Sequence, residues 1–324
     1  MPDIATQVNG YEVMQKQVGD CSVLSSLAVA AHFEMKHQWK KRIITHNIFP
    51  QDQSGNPVYN PTGEYIVKLY VNGAWRGVVI DDYMPINTAG NWLCAYSARG
   101  KMWVSLIEKA YLKLNGGYDF NGSNSSRDLY ILTGWLPQKY DLNKEDLDRN
   151  MLWNKIKAGY ANNDCLITLG TGVIPDEDNV GLVGNHAYGV LEIIEAGGHR
   201  VMLLKNPWGH FRWNGKFSYG DATTWTPQLK QQLGYQNFSE DKGVFWIDFD
   251  SVLTWFDSLD INWNPDLLTY RKSFYDIWKS NDMLQSSSLS LKENPQYCID
   301  FMADAQQVAS AGESFVCWVV VSKL

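Results

Sequence analysis

One of the five cysteines in this 324-residue sequence stands where a thiol can act as a nucleophile. In the run QKQVGDCSVLSSL, Cys21 follows a Gly-Asp bend and opens an apolar stretch of helical period. The free N–H groups and partial positive charge of a helix start favour a thiolate, the attacking form of cysteine. The plainer alternative for such a residue is a small buried hydrophobe. A nucleophilic thiol also needs a base, and the base needs a third group that fixes its tautomer and ring orientation. The segment NHAYGVLEIIEAGGHRVMLLKNPWG offers both. Two apolar runs flank Ala196-Gly197-Gly198, so the segment reads as a hairpin, and the midpoint of His186 and Asn206 falls at residue 196. Residues equidistant from a hairpin turn are cross-strand neighbours, with Cβ atoms about 4.5–5.5 Å apart. His186 and Asn206 are therefore expected side by side, with the Asn carbonyl oxygen accepting from one imidazole nitrogen and the other nitrogen facing the thiol. A histidine on an apolar strand is otherwise a satisfied core residue. Trp208, two residues beyond Asn206, can shield that bond from water or serve as core. Gln15 can bring its amide to the thiol if the loop before Cys21 folds back, giving one oxyanion donor beside the Cys21 backbone N–H.

These residues need elements to hold them. Residues 20–34 read as a buried helix with Asp20 as its cap and Val23, Leu24, Leu27, Ala28 and Ala31 at helical spacing. The run 64–82 alternates around Asn72-Gly73, a strong hairpin signal. Residues 103–114 return to helical period and stop at Asn115-Gly116-Gly117. After about residue 140 one more helical stretch, 144–158, precedes short β-rich runs at 165–169, 187–195, 201–205 and 243–249. The expected fold class is α+β. A helical part (1–140) carries Cys21, a β part (141–264) carries His186 and Asn206, and the working site lies in the cleft between them. From 265 to 324 runs such as YCIDFM and SFVCWVVVS read as strands, too few residues for a full sandwich, which takes about 100.

Composition excludes several classes. Lys and Arg number 28 against 35 Asp and Glu, a net charge of −7, so no basic face is available for nucleic acid. An apolar content of 45% and 13% aromatics exclude a disordered chain. No 18-residue apolar run and no secretory leader signature are found, so a protein of the cytoplasm without a transmembrane segment is expected. Cys21, Cys94, Cys165, Cys298 and Cys317 suggest neither a disulfide framework nor a C-x-x-C zinc site. No EF-hand loop is present. The acidic runs Asp176-Glu177-Asp178 and Asp81-Asp82 read as a solvated loop and a strand end in preference to cation ligands, and no cofactor or metal is expected.

Taken in order and spacing, QKQVGDCSVLSSL, NHAYGV and KNPWG resemble the calpain family of papain-like cysteine proteases, over most of residues 10–264. VVIDDYMPI, WVSLIEKAYLKLNGGYDFNGSNS, DLYILTGWLP and HFRWNGKFS are most similar to the PalB-like (calpain seven) branch. The resemblance implies a papain-like core followed by part of a C2-like β-sandwich, and an endopeptidase that hydrolyses peptide bonds through an acyl-enzyme. It further implies Cys21 as nucleophile, His186 as general base and acid, Asn206 as orienting residue and Gln15 as oxyanion donor. Trp208, Asn185 and Gly134 become substrate-side residues, with Gly134 a backbone contact. Protein substrates are implied, along with endosomal sorting (ESCRT) proteins as partners and recruitment to endosomes. That branch carries N-terminal domains and a second C2-like domain, which the resemblance does not find in these 324 residues. Conventional calpains have Trp and Gly where this sequence has Ser22 and Asn185, so their subsite preferences do not transfer. Their calcium dependence is not expected either, or is expected only weakly. Two other classes remain open: a catalytically silent scaffold, and a transglutaminase-type acyltransferase, which also uses Cys, His and a carboxylate or amide.

Overall fold

The computed structural model describes residues 2–37, 41–233, 243–268, 270–275 and 318–319. The chain divides into two compact units, Met1–Leu267 and Leu268–Lys323. Most of the second unit, and with it nearly all of the expected sandwich segment at 265–324, lies outside the described residues.

The first unit mixes helix and sheet. A two-residue strand, β1 (Val13–Met14), leads into α1 (Cys21–Lys36). Strands β2 (Ile48–Phe49), β3 (Glu64–Val71) and β4 (Ala74–Asp81) form a three-stranded antiparallel sheet. The β3–β4 turn is Asn72-Gly73 as expected, with φ of 56° and 72°, the left-handed pair that a tight right-twisted hairpin requires. Strand β5 (Tyr96–Ser97) pairs with β1, and α2 (Trp103–Leu114) and α3 (Ser125–Thr133) follow. The expected helix at 103–114 matches α2, whereas α3 was not anticipated.

The remaining elements build one six-stranded antiparallel sheet in the order β10-β9-β8-β7-β11-β6. They are β6 (Leu136–Asp141), α4 (Arg149–Ala161), β7 (Cys165–Gly170), α5 (Glu177–Val180), β8 (Ala187–Ala196), β9 (His199–Lys205), α6 (Pro227–Gln232), β10 (Val244–Asp248), α7 (Phe249–Trp255) and β11 (Ser258–Trp263). Helix α4 begins later than the apolar period suggests, because Asp148 accepts from the Met151 N–H at 2.9 Å and so caps it there. The sheet begins at Leu136, inside the part expected to be helical.

Both faces of the large sheet are covered. Leu166, Leu191, Val201, Leu203 and Trp246 join the cluster around α1, α2, α3 and β3. Ile167, Leu169, Tyr188, Val190, Met202 and Leu204 point the other way, into a cluster with Trp153 of α4 and Val252 of α7. Helix α1 is buried over nearly its whole length, from Ser22 to Glu34, and lies against β8. Gly189 of β8 makes that approach possible: a Cβ there would stand 2.8 Å from Val29 Cγ2 and 2.9 Å from the Ser25 carbonyl oxygen.

Candidate active site

Cys21 is the first residue of α1, at the helix start where the sequence places it. Asp20 does not act as the expected cap. Its side chain makes no capping bond, its ψ of 31° is not the extended geometry of a capping residue, and its carboxyl turns into the interior to face Glu108. The first turn is held by its second residue instead. Ser22 Oγ meets Ser123 Oγ at 2.8 Å, Ser123 donates to Asp128 Oδ2 at 2.6 Å, and Tyr111 donates to Asp128 Oδ1 at 2.5 Å. This relay ties the turn after the nucleophile position to α2 and the start of α3. Gly122 lies on the same side, its absent Cβ 3.6 Å from the Gly19 carbonyl oxygen.

His186 directly precedes β8, and Asn206 directly follows β9. His186 Nε2 and Asn206 Oδ1 are 2.8 Å apart, so the expected bond is present. The reason given for it needs correcting. The hairpin turn is Gly197-Gly198, closed by the pair Ala196↔His199, and a bulge between Val190 and Glu192 shifts the register one residue back toward the expected one, leaving Gly189 opposite Lys205. Continued, that register sets Asn206 across from Tyr188, and His186 reaches it diagonally on the same face. Diagonal neighbours stand about 7–8 Å apart, within reach of an imidazole and an amide leaning toward each other.

The orienting amide is itself fixed. Asn206 Nδ2 donates to the carbonyls of His210 and Phe211 at 2.9 and 3.2 Å, and its Oδ1 also accepts from the Trp208 N–H at 3.0 Å. The Trp208 ring lies 4.8 Å from the imidazole at an interplanar angle of 54°, and Tyr188 meets the imidazole edge-on at 5.1 Å. Thr171, which sequence reasoning missed, pins the histidine backbone: its Oγ1 accepts from the His186 N–H at 3.0 Å, and its N–H donates to the His186 carbonyl at 3.0 Å. Asn185 is exposed, with φ of 48°.

Gln15 is buried, and its backbone N–H donates to the Pro207 carbonyl at 2.8 Å. The loop before Cys21 and the loop after Asn206 are thereby joined. The Gln15 amide donates to the Val18 carbonyl at 2.7 Å, and a primary amide retains a second N–H. Gly134 caps the far end of α3 in the left-handed conformation, against Tyr70 and Trp75. Eight residues of helix, about 12 Å, separate it from Ser125, whose carbonyl accepts from Ser26 of α1 at 3.2 Å. The structure thus places Gly134 at the opposite end of α3 from the first turn of α1, where Gly122 and Ser123 lie.

The helix that carries Cys21 and the strand that follows His186 meet where the Ala187 carbonyl accepts from Ser25 Oγ at 2.7 Å. Burial pushes the Cys21 thiol above its ordinary value; the Ala187 N–H opposes that, and the Asp20 and Asp128 carboxyls reinforce it. Burial likewise pushes the His186 imidazole down to about 4, against the bond to Asn206 that favours its charged form. A thiolate was expected at the helix start. Burial opposes the helix terminus and acts on both groups in the direction of the neutral form.

The acidic runs have local roles. Asp176 caps α5, Glu177 accepts from the Gly184 N–H at 2.7 Å, and Asp81 pairs with Lys109.

A cysteine at a helix start, on a fold that also holds an imidazole against an asparagine amide and an indole, fits the cysteine-protease class that the sequence resembles. The family model for calpain family cysteine proteases matches residues 3–262, and the chain belongs to that family. Calpain-7 of Mus musculus is 39% identical over 334 residues, covering 99% of this chain and 40% of that relative. The calpain-like protease palB/cpr-8 of Neurospora crassa is 36% identical over 303 residues, covering 91% of this chain and 31% of the relative. The palB/RIM13 protease of Aspergillus oryzae is 34% identical over 295 residues. The chain therefore spans less than half the length of the relatives it matches.

Proposed function

We propose that the chain is a cysteine endopeptidase in which Cys21 attacks the peptide carbonyl, His186 moves the proton and Asn206 orients the imidazole. The observation that carries this reading is the 2.8 Å His186–Asn206 bond, set at the end of the strand whose Ala187 carbonyl accepts from Ser25, one turn along the helix from Cys21. His186 takes the thiol proton as Cys21 attacks, and gives it to the leaving amine as the acyl-enzyme forms. Water activated by the same imidazole then releases the acid. The Cys21 backbone N–H and the remaining Gln15 amide N–H would receive the oxyanion. Trp208 shields the imidazole–amide bond, and Asn185 and Gly134 are proposed substrate contacts, Gly134 on resemblance alone.

Calcium is proposed to be dispensable or weak in its effect, since the acidic runs are engaged in capping and ion pairs. Cytoplasmic location and recruitment to endosomal sorting (ESCRT) proteins rest on the resemblance to the PalB-like branch alone. Among the described residues no helix is long and apolar enough to cross a membrane.

Hydrolysis of an unfolded protein such as casein, followed with the wild type and Cys21→Ser, tests the reading. The wild type should cleave and the variant should not. Equal turnover would show that Cys21 is not the nucleophile and overturn the reading, and no turnover in either would favour the scaffold. Ammonia or isopeptide formation without cleavage would favour the acyltransferase.

A further inference from the structure

Helix α1 and strand β8 run side by side in the same direction, and they are tied at two places. Near Cys21, Ser25 Oγ donates to the Ala187 carbonyl at 2.7 Å and Gly189 lets the helix backbone close on the strand. The second tie is at the other end. From Cys21 to His32 the helix rises about 16 Å, and from Ala187 to Glu192 the strand rises about the same. There His32 Nε2 lies 3.1 Å from Glu192 Oε1, and Lys36 Nζ lies 2.8 Å from Glu192 Oε2. Tyr160 of α4 hydrogen-bonds Glu192 Oε2 and accepts from Lys36 at 2.6 Å. Lys36 also stands 4.8 Å from the centre of the Tyr160 ring.

Glu192 reaches α1 only because of the bulge. Before it, Tyr188 and Val190 point away from α1 while Leu191 points into the α1 cluster. A regular strand would then send residue 192 away from α1. The shift between Val190 and Glu192 reverses the alternation, so that Glu192 and Ile194 turn toward the α1 side and Ile193 away. An irregular strand that delivers one carboxylate to three donors at a helix end, among otherwise apolar neighbours, does more than fill space. His32 is buried, packed edge-on by Tyr11 at 5.3 Å.

Resting on the protease reading, we infer that Glu192, with His32, Lys36 and Tyr160, positions the nucleophile. The clasp fixes the tilt and axial register of α1 along β8, and through them the alignment of Cys21 with His186. With the Ser25 tie as pivot, a small swing at the Glu192 end displaces the sulfur at the other. A shift of 1 Å at reacting atoms can lower a rate about a hundredfold.

The test is the rate of alkylation of Cys21 by iodoacetamide, read site by site by peptide mass spectrometry from pH 5 to 10, together with casein hydrolysis and thermal melts. The full chain is compared with Glu192→Gln, Lys36→Met and Lys36→Arg. Glu192→Gln and Lys36→Met should lower kcat tenfold or more with KM changed less than twofold, and should displace the pH profile of Cys21 labelling. Lys36→Arg should restore both. Lys36 is partly exposed, so its variants keep the test open should Glu192→Gln fail to fold. Wild-type labelling rate and pH profile in the folded variants would overturn the inference, as would a loss that follows the melting temperature without rescue by arginine. A wild type that cleaves nothing, but whose Cys21 profile moves in Glu192→Gln and Lys36→Met and stays in place in Lys36→Arg, would uphold the positioning and sink the protease. Labelling of wild-type Cys21 no faster than that of buried Cys94 would overturn both.

Discussion

At the scale of single residues, the site is built so that neither reacting group is charged in the free protein. Burial holds the Cys21 thiol up and the His186 imidazole down to about 4, both in the direction of a proton kept on sulfur. Alkylation of Cys21 should then follow a raised thiol and still be climbing at pH 9, where an ordinary cysteine, with a pKa of about 8.5, is already mostly thiolate. A plateau reached by pH 6 would instead reveal a thiolate–imidazolium pair and overturn this charge assignment. Asn206→Ala should lower turnover by a smaller factor than Cys21→Ser, because a misaligned base remains where the nucleophile does not. Equal losses in the two variants would show that Asn206 does more than orient. The helix start at Cys21 and the His186–Asn206 contact were legible, the first from apolar period after a Gly-Asp bend and the second from a hairpin signal that brings its two ends together. The roles of Ser22, Ser123 and Asp128 were not legible, since a serine–carboxylate relay carries no spacing signature when its members lie 101 residues apart.

At the scale of elements, the closeness of α1 to β8 depends on one absent side chain. In Gly189→Ala the new methyl would stand 2.9 Å from a backbone oxygen, which cannot swing aside as a side chain could, and 2.8 Å from Val29. The helix must shift, at a cost of about 1–3 kcal/mol, and the melting temperature should fall by several degrees. Cys21 labelling should fall with it, and an unchanged melt would show that α1 is not seated as described. A glycine inside an apolar strand was visible in the sequence, but its partner helix was not. The same holds for register. The Ala196-Gly197-Gly198 signal gave the hairpin, but the turn falls on Gly197-Gly198 and is not centred on Ala196, and the bulge at Leu191, which has no local signature, takes back only one residue of that offset. Helix α2 and the Asn72-Gly73 hairpin could be read directly, being set by local period and turn chemistry. Strands β6 and β11 were missed because each is defined by pairing with the other across more than 100 residues of chain, as in Gln138 with Ile261.

At the scale of the whole molecule, the acid pair beneath the nucleophile makes a pH-dependent contribution to stability. Asp20 and Glu108 are both almost wholly buried, and two facing carboxyls can hydrogen-bond only while one keeps its proton. Burial pushes Asp20 up to about 7; the bond to Glu108 opposes this, and the charge of Asp128 adds to the rise. Glu108 is driven well above its ordinary value by burial first and by Asp20 second, although it accepts from the Ala95 N–H at 2.8 Å. Both groups are raised, so this pair binds more protons in the folded state than in the unfolded chain between pH 4 and pH 7. His186, held down to about 4, acts in the opposite direction and is common to the wild type and to Asp20→Asn. Below about pH 4 both states are protonated and the pair costs nothing. As pH rises toward 7 the unfolded chain ionises first, and stability falls, by an amount on the order of a few kcal/mol in total. Asp20→Asn removes the ionisation while keeping a group that can hydrogen-bond Glu108. Its melting temperature should exceed that of the wild type at pH 8, with the difference shrinking steadily toward pH 4.5. Paired melts across that range, in buffers of matched ionic strength, measure it directly. A difference that does not vary with pH would mean the pair does not hold a shared proton. A wild type that becomes steadily more stable from pH 4.5 to 8, together with a variant that tracks it, would mean that Asp20 is ionised in the folded protein.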